Sequence, residues 1–285
     1  DIPVFNYDSA FSFIEKQISF GPRNLSSEGA VLCLSYLKQK LKLYADNVII
    51  QTSKTKTYDN KEHDFFNIIA EFNPENPNRI FLCAHWDTRH IAENDPFEKN
   101  KPIIGANDGG SGVGVLIEIA RIIKNNPIGI GIDIILFDAE DHGTESNVNS
   151  WCLGSQYWSK NPHKKNYWAK YGVLLDMVGG ENAQFTIEGG SYKYAAKYVE
   201  KIWNKGNELG HGNYFVYDKT KEIIDDHFFI NRIIGIPTLD IIEYDHQTES
   251  NFNKHWHTHK DELSIISKET LNAVGETLIN IIYNE

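Results

Sequence analysis

Cysteine is scarce in this chain of 285 residues, which contains only Cys33, Cys83 and Cys152. Three cysteines without a Cys-x-x-Cys pair exclude a disulfide-rich scaffold, a cysteine zinc ribbon and a dithiol redox motif. Cys83 lies in an apolar run, so we expect a buried and unreactive thiol there. The spacing leaves open one bridge between two of the three cysteines.

Long apolar runs are also missing, because no stretch approaches the roughly 18 to 20 residues of a transmembrane helix. Hydrophobic residues make up 41% and charged residues 24% of the chain, and the mean hydropathy is −0.43. These values predict a soluble globular protein. The formal net charge of −11 argues against a nucleic-acid partner and favours neutral or cationic substrates. Asp1 is not a natural first residue, so we expect that a leader has been removed.

A nucleotide-binding motif and a serine-hydrolase motif are both absent from the sequence. Glycines 109, 110, 112 and 114 resemble a phosphate loop, but no Lys-Ser/Thr follows and the G-x-G-x-x-G register is missing, which argues against phosphate binding. The chain has no G-x-S-x-G nucleophile elbow, which weakens a serine-hydrolase interpretation.

The most informative stretch is Gly131–Asp141, GIDIILFDAED. Its apolar run of residues 132–137 is rich in β-branched side chains and predicts a strand buried on both faces. The run ends on Asp138, Glu140 and Asp141. Adjacent carboxylates at the end of a buried strand are costly unless they are paired or bind a metal.

Strand and helix patterns alternate along most of the chain. Apolar runs or alternation predict strands at 47–58, 65–72, 79–84, 131–137, 172–177 and 236–244. Helical spacing and caps predict helices at 9–19, 26–43, 113–123, 194–205, 225–234 and 267–283, and a short helix ending at residue 159. This order predicts a single α/β domain over residues 1–285, with a central twisted, mostly parallel mixed sheet and helices on both faces. The helices of residues 1–45 would pack on that domain.

Acids and histidines follow several predicted strands or begin helices. They are His85, Asp87, Asp108, Glu140, Asp141, Asp176, Asp225, Asp226 and His257. The carboxyl ends of parallel strands share one edge of the sheet, so these side chains should converge there. Converging carboxylates need a cation or shared protons. Histidine and carboxylate donors without cysteine suit an open, catalytic zinc site.

Each candidate also has a purely structural interpretation. Asp108 precedes two glycines and could be only a turn or helix N-cap residue, and Asp225 or Asp226 could simply cap the following helix. His255, His257 and His259 alternate as HWHTH, a pattern that is more often a loop with one functional histidine. We therefore predict one ligand among these three.

The motifs, in their order along the chain, resemble a known family. They are HWD at 85–87, NDGGSG from 107, DAED at 138–141, LLDMVGG from 174, DDHFF from 225 and WHT at 256–258. Together they resemble the zinc aminopeptidase superfamily, and within it the glutaminyl cyclases (glutaminyl-peptide cyclotransferases) of the animal type, which also occur in Gram-negative bacteria. The resemblance covers about residues 20–285.

The resemblance implies one zinc ion per chain, held by Asp108, Asp141 and His257. The family usually has Glu at the second position, so Asp141, which is one methylene shorter, must reach the metal in another way or the backbone must shift. Glu140 corresponds to the family's general acid/base, and Asp176 and Asp225 to two aspartates that share a hydrogen bond.

The family's aromatic pocket is matched in part. Trp256 corresponds to the tryptophan beside the zinc, whereas a second pocket tryptophan has no clean counterpart, and Trp151 is our candidate for its role. The implied reaction converts N-terminal Gln, and more slowly Glu, of peptides and proteins to pyroglutamate with release of ammonia. Relatives of this type in bacteria are usually exported, so we expect a periplasmic or secreted protein.

The main alternative is an aminopeptidase with two zinc ions. In that case His85 and Asp176 would hold a second metal and Asp108 would bridge the pair, with Asp87 as a further ligand or supporting residue. Asp225 argues for the cyclase, because peptidases usually carry a small hydroxyl residue there. A non-catalytic domain on the same fold is disfavoured, because the candidate base and all three candidate ligands are present.

Overall fold

The computed structural model describes residues 2–285. The helices are α1 (Tyr7–Ile18), α2 (Glu28–Tyr44), α3 (Gly110–Asn125), α4 (Leu153–Lys160), α5 (Gly189–Glu208), α6 (Asp226–Ile233) and α7 (Lys268–Ile282). The strands are β1 (Asn47–Lys56), β2 (Glu62–Phe72), β3 (Arg79–His85), β4 (Gly131–Phe137), β5 (Gly172–Asp176), β6 (Phe185–Ile187), β7 (Phe215–Lys219) and β8 (Thr238–Ile242).

Six of the strands form one mixed sheet in the order β1-β2-β4-β3-β5-β8. β2 pairs antiparallel with both β1 and β4, whereas β4, β3, β5 and β8 run parallel to one another. The four parallel strands therefore end at the same edge of the sheet, as the sequence predicts. β1, with its alternating pattern, is an edge strand.

Helices cover both faces of this sheet, which confirms the predicted α/β fold class. Alternate strand residues such as Leu82 and Ile134 pack in a core with residues of α1, α2, α3, α5 and α7. Their neighbours in sequence, such as Cys83 and Ile135, pack in a second core with Trp158 of α4 and Ile230 of α6. Successive side chains of a strand point to opposite faces, so a continuous apolar run supplies both cores.

Several boundaries differ from the sequence-based prediction. Helix α1 begins at Tyr7 because Asn6, not Ser9, is its N-cap, and the Asn6 side chain accepts a hydrogen bond from the Ser9 amide. Helix α5 begins five residues earlier than predicted because Glu188 accepts from the amides of Gly190 and Ser191. The sequence analysis also missed β6 and β7, a short parallel pair with too few residues for a recognisable pattern.

The cysteine prediction has a clear outcome. Cys33, Cys83 and Cys152 are all buried and free, so the bridge that the spacing left open does not form. Among the helices of residues 2–285, none combines the length and the apolar character needed to cross a bilayer.

Candidate active site

Three of the predicted residues meet at the carboxyl edge of the sheet. Asp108 lies in the loop before α3, Asp141 follows β4, and His257 lies in the long loop after β8. His257 Nε2 is 3.1 Å from Asp141 Oδ1 and 3.6 Å from Asp108 Oδ2. One donor atom from each residue lies within 4.8 Å of the others, and all three side chains are buried.

Glycine allows Asp108 to approach the sheet this closely. A Cβ atom at Gly109 would lie 2.4 Å from the His85 carbonyl oxygen, and one at Gly112 would lie 2.3 Å from the Leu175 carbonyl oxygen. Only glycine fits such close backbone contacts. The glycines of the NDGGSG motif therefore serve close packing of α3 against the ends of β3 and β5.

Asp87 positions the two acids that follow β4. Its Oδ1 accepts from the Glu140 amide at 3.1 Å and its Oδ2 from the Asp141 amide at 3.0 Å. The turn passes through Ala139 in the left-handed region, with φ 55°, which places these two amides beside Asp87. The sequence left Asp87 open as a metal ligand or a supporting residue, and its contacts in the structure are those of a supporting residue.

Asp261 supports Asp108 in the same way, and the sequence analysis missed it. Asp261 Oδ1 accepts from the Asn107 amide at 2.7 Å and Oδ2 from the Asp108 amide at 3.0 Å. Asp261 lies more than 150 positions after Asn107 and Asp108 in the chain, so no local sequence pattern connects them.

Glu93 and Arg89 were also missed, although they contact His257 and Asp141. Glu93 Oε1 lies 3.0 Å from His257 Nδ1, which directs Nε2 toward the two aspartates. Arg89 donates to Glu93 and to the backbone carbonyls of Asp141 and Gly143. Both belong to the loop 88–104, whose role the sequence left unassigned, and this contact with His257 gives part of that loop a function.

The residues present fit a zinc ion. Imidazole nitrogen and carboxylate oxygens are donors that zinc accepts in open sites, and Asp141 Oδ2 is buried without a hydrogen-bond partner. Burial raises the pKa of Asp141 to about 6, and the nearby Asp108 charge adds to this. A buried carboxylate with a free oxygen and an acidic neighbour is stabilised by a bound cation.

A second group of donors lies beside the first. His85 Nε2 is 3.1 Å from Asp108 Oδ1 and 3.2 Å from Asp176 Oδ1. One donor atom from each of these residues lies within 4.8 Å of the others. The geometry therefore contains both donor sets that the sequence predicted, with Asp108 common to the two.

Glu140 is buried in the same pocket. Its Oε1 accepts a hydrogen bond from Cys152 Sγ at 3.2 Å. Burial raises the pKa of Glu140 well above its ordinary value, the His85 charge opposes this, and the Asp141 and Asp225 charges add to it. A carboxyl group with a raised pKa can both accept and return a proton near neutral pH.

Asp176 and Asp225 line the pocket together with Glu140. Burial raises the pKa of Asp225 to about 7, with the Asp176 charge as the next cause. Asp225 is also the N-cap of α6, where its side chain accepts from the Asp226 amide. The capping interpretation is thus correct for Asp225, and it is compatible with a place in the pocket.

Two tryptophans wall the pocket, whose volume is about 280 Å³. The Trp256 ring stacks on the His257 ring with centroids 3.8 Å apart. The Trp151 ring lies nearly parallel to His257 at 6.5 Å, and its indole N–H donates to the Thr144 carbonyl. Trp151 therefore offers the pocket its face rather than its N–H group.

Some candidates lie outside this arrangement. Asp138 turns away and accepts from the amides of Phe66 and Ala139. Asp226 is fully buried and does not line the pocket, and His259 contacts the Glu98 carbonyl. Of the three alternating histidines, His257 alone lines the pocket.

A mixed α/β sheet whose four parallel strands end beside an Asp–Asp–His donor set defines a zinc-dependent exopeptidase-type fold. The chain belongs to peptidase family M28, whose model matches residues 67–282. It is similar to a solved Zn-dependent exopeptidase from Parabacteroides distasonis, with a TM-score of 0.98, 45% identity and 100% of both chains covered. It is equally similar to the solved glutaminyl cyclase of Tannerella forsythia, with a TM-score of 0.97, 47% identity, and 99% and 100% of the two chains covered.

Among curated proteins, the chain is 29% identical to aminopeptidase YwaD of Bacillus subtilis over 245 residues, which is 81% of this chain and 47% of that protein. The chain thus spans about half the length of this relative. Proteins described as peptidases and as cyclases share the fold almost equally, so the residues of the site must decide between the two activities.

Proposed function

We propose that this chain is a zinc-dependent glutaminyl cyclase, which converts N-terminal Gln, and more slowly Glu, of peptides and proteins to pyroglutamate. The observation that carries the proposal is the position of Asp225. It places a buried carboxyl in the pocket that also contains Asp176, Glu140 and the Asp108–Asp141–His257 donor set, close enough for the Asp176 charge to raise its pKa further after burial. The similarity to the Tannerella forsythia cyclase, which extends over the whole chain, supports the same conclusion.

The pocket suits the charge of a peptide N-terminus. Glu93, Glu140, Glu145, Asp176 and Asp225 all line it, and a pocket surrounded by acids attracts a protonated α-amine. Asp176 and Asp225 lie where they can bind that amine and orient it toward the side-chain carbonyl of the same residue. The indole rings of Trp151 and Trp256 exclude water from the reacting atoms.

The reaction joins two groups of one residue. The α-amino nitrogen forms a bond to the side-chain carboxamide carbon, and the bond from that carbon to the amide nitrogen breaks, releasing ammonia. Glu140 takes a proton from the attacking amine and gives it to the leaving nitrogen, so it ends the cycle unchanged. Asp108, Asp141 and His257 would hold the zinc ion, which would supply a Lewis acid for the carboxamide oxygen.

One zinc ion is sufficient for this chemistry. The nucleophile is already tethered to the substrate, so the reaction needs no metal-activated water. We therefore propose a single zinc ion in the pocket, and we assign His85 to orienting Asp108 and Asp176, which lie 3.1 and 3.2 Å from its Nε2 atom.

The two-zinc aminopeptidase stays the second candidate, because the His85–Asp108–Asp176 set has the spacing of a metal site. Incubation with the dipeptides Gln-Ala and Leu-Ala separates the two activities directly. We expect release of ammonia from Gln-Ala and no cleavage of Leu-Ala. Cleavage of Leu-Ala without cyclisation of Gln-Ala would end the cyclase proposal and favour the peptidase.

A further inference from the structure

A group of histidines lies outside the active-site pocket. Asp59 follows β1, His63 belongs to β2, and His142 follows Asp141 after β4. One donor atom from each of these three residues lies within 4.8 Å of the others, and none of the three lines the pocket. We call Asp59, His63 and His142 the histidine cluster.

Three of the four ring nitrogens in this cluster lack a hydrogen-bond partner within residues 2–285. His142 is 5% exposed, and both of its ring nitrogens are buried without a hydrogen-bond partner. His63 Nε2 is also buried without a hydrogen-bond partner, whereas the other ring nitrogen of His63, Nδ1, contacts Ser26 Oγ at 2.8 Å. Buried imidazole nitrogens are normally paired, and an ion bound between the two rings would give one nitrogen of each ring a partner.

The donor atoms face one another. His142 Nε2 lies 3.9 Å from Asp59 Oδ1, a separation that leaves room for an ion about 2 Å from each atom. The His63 and His142 ring centroids are 5.4 Å apart. His90 stacks on His142 with centroids 3.7 Å apart and an interplanar angle of 10°, which fixes the orientation of the His142 ring.

The cluster is also accessible. The Asp59 side chain is 25% exposed, and its present cationic partner, Lys61, is 72% exposed and 2.8 Å away. Lys61 pairs with Asp59 Oδ2, whereas the oxygen that faces His142 is Oδ1. Oδ1 accepts from Thr57 Oγ1 and keeps a second lone pair for an ion. A cation can therefore enter from the Asp59 side without opening the fold.

We propose that Asp59, His63 and His142 form a second metal site, separate from the catalytic one, which binds a divalent transition-metal ion. Two imidazole nitrogens and one carboxylate oxygen are a donor set that suits zinc. The site would connect the turn between β1 and β2 to the residue that follows Asp141. Because it uses none of the pocket residues, the inference stands whether the enzyme is a cyclase or a peptidase.

The test starts from protein whose tightly held zinc is in place after dialysis. Titration calorimetry with added zinc should then show one further equivalent for the wild-type chain. His63→Gln and Asp59→Asn should each weaken this second binding by at least tenfold. His246→Gln removes a histidine outside the cluster, so it should bind the second equivalent as the wild type does.

His85→Gln separates this site from a second ion in the pocket. If the added equivalent is lost in His85→Gln and kept in His63→Gln, the ion lies between His85 and Asp176 and the proposal is wrong. The proposal also fails if the zinc-loaded wild type takes up no further ion, or if both cluster variants bind it unchanged.

Two further measurements distinguish loss of the metal site from misfolding of the variants. The thermal midpoints of the cluster variants without added zinc should match that of the wild type, and added zinc should raise the midpoints of the wild type and of His246→Gln more than those of the cluster variants. In a crystal soaked with zinc, anomalous scattering at the zinc edge should place an ion between His63 and His142. Density near Asp176 alone would overturn the assignment.

Discussion

Glu93 controls how firmly His257 is held, and its removal should weaken zinc binding in the pocket. Glu93 Oε1 lies 3.0 Å from His257 Nδ1 and 2.8 Å from an Arg89 guanidinium nitrogen. Although burial opposes the charge, the hydrogen bonds from His257 and Arg89 lower the pKa of Glu93 to about 2. Glu93 is therefore an anion that fixes the tautomer of His257 and leaves Nε2 free as a ligand.

The size of the effect follows from this role. Loss of the hydrogen-bond partner of a metal-bound histidine typically weakens metal affinity by about 10- to 100-fold, which corresponds to about 1.4 to 2.7 kcal/mol. Glu93→Gln keeps an acceptor for Nδ1 and loses the charge, so we expect a loss of about tenfold. Glu93→Ala removes both and should approach the upper end of that range.

The measurement is the zinc dissociation constant, obtained by competition with a chelator of known affinity. Glu145→Gln is the matched control, because Glu145 lines the same pocket and its removal leaves the His257 contact intact. The control should bind zinc like the wild type. Equal zinc affinity in Glu93→Ala and the wild type, with unchanged thermal midpoints, would refute the argument that Glu93 orients the ligand.

Three further predictions concern the base and the buried acids. Glu140→Gln should lower turnover of Gln-Ala by about 10²- to 10⁴-fold while metal analysis still finds zinc bound, and retained activity would disprove its role as the base. Asp133→Asn should destabilise the fold by about 3 to 5 kcal/mol in urea unfolding, because Asp133 accepts two hydrogen bonds from buried Arg79. Asp64→Asn, on the surface, should change the free energy of unfolding by less than about 1 kcal/mol. Glu188→Gln should be most destabilising above pH ~5, and the difference should vanish as the pH falls toward 2. The reason is that hydrogen bonds lower the folded-state pKa of Glu188 from 4.5 to about 2, against the effect of burial, so the stability it provides is lost on acidification.

Much of the fold could be predicted from the sequence because its signals are local. The apolar run of β4 covers the observed strand Gly131–Phe137, and the spacing of apolar residues located α2 and α7. Boundaries were less accurate where a cap decided them, as at Asn6 and Glu188. β6 spans three residues, which is too short for any periodic pattern to appear.

The residues of the candidate site also differ in whether a local sequence pattern identifies them. Asp108, Asp141 and His257 stand in recognisable motifs, so the sequence could nominate them, and their ligand roles remain predictions. Glu93 and Asp261 carry no motif, and their contacts join residues more than 150 positions apart. The histidine cluster was missed for the same reason, since Asp59 and His63 meet His142 only after β2 pairs with β4.

The hydrogen bonds of the buried acids identify two of them, Asp87 and Asp261, as residues that position the site. Both oxygens of Asp87 and both oxygens of Asp261 accept backbone amides, so these carboxylates are satisfied without a cation. Asp141 Oδ2, in contrast, is buried and unpaired. Since an unpaired buried carboxylate oxygen is costly, Asp141 depends on a bound ion in a way that Asp87 does not. Asp225, Asp226 and Asp240 also have buried oxygens without a hydrogen-bond partner, and burial raises the pKa of each. One edge of the sheet can therefore hold so many acids because backbone amides satisfy some of them, others can hold a proton, and Asp141 faces the place for a cation.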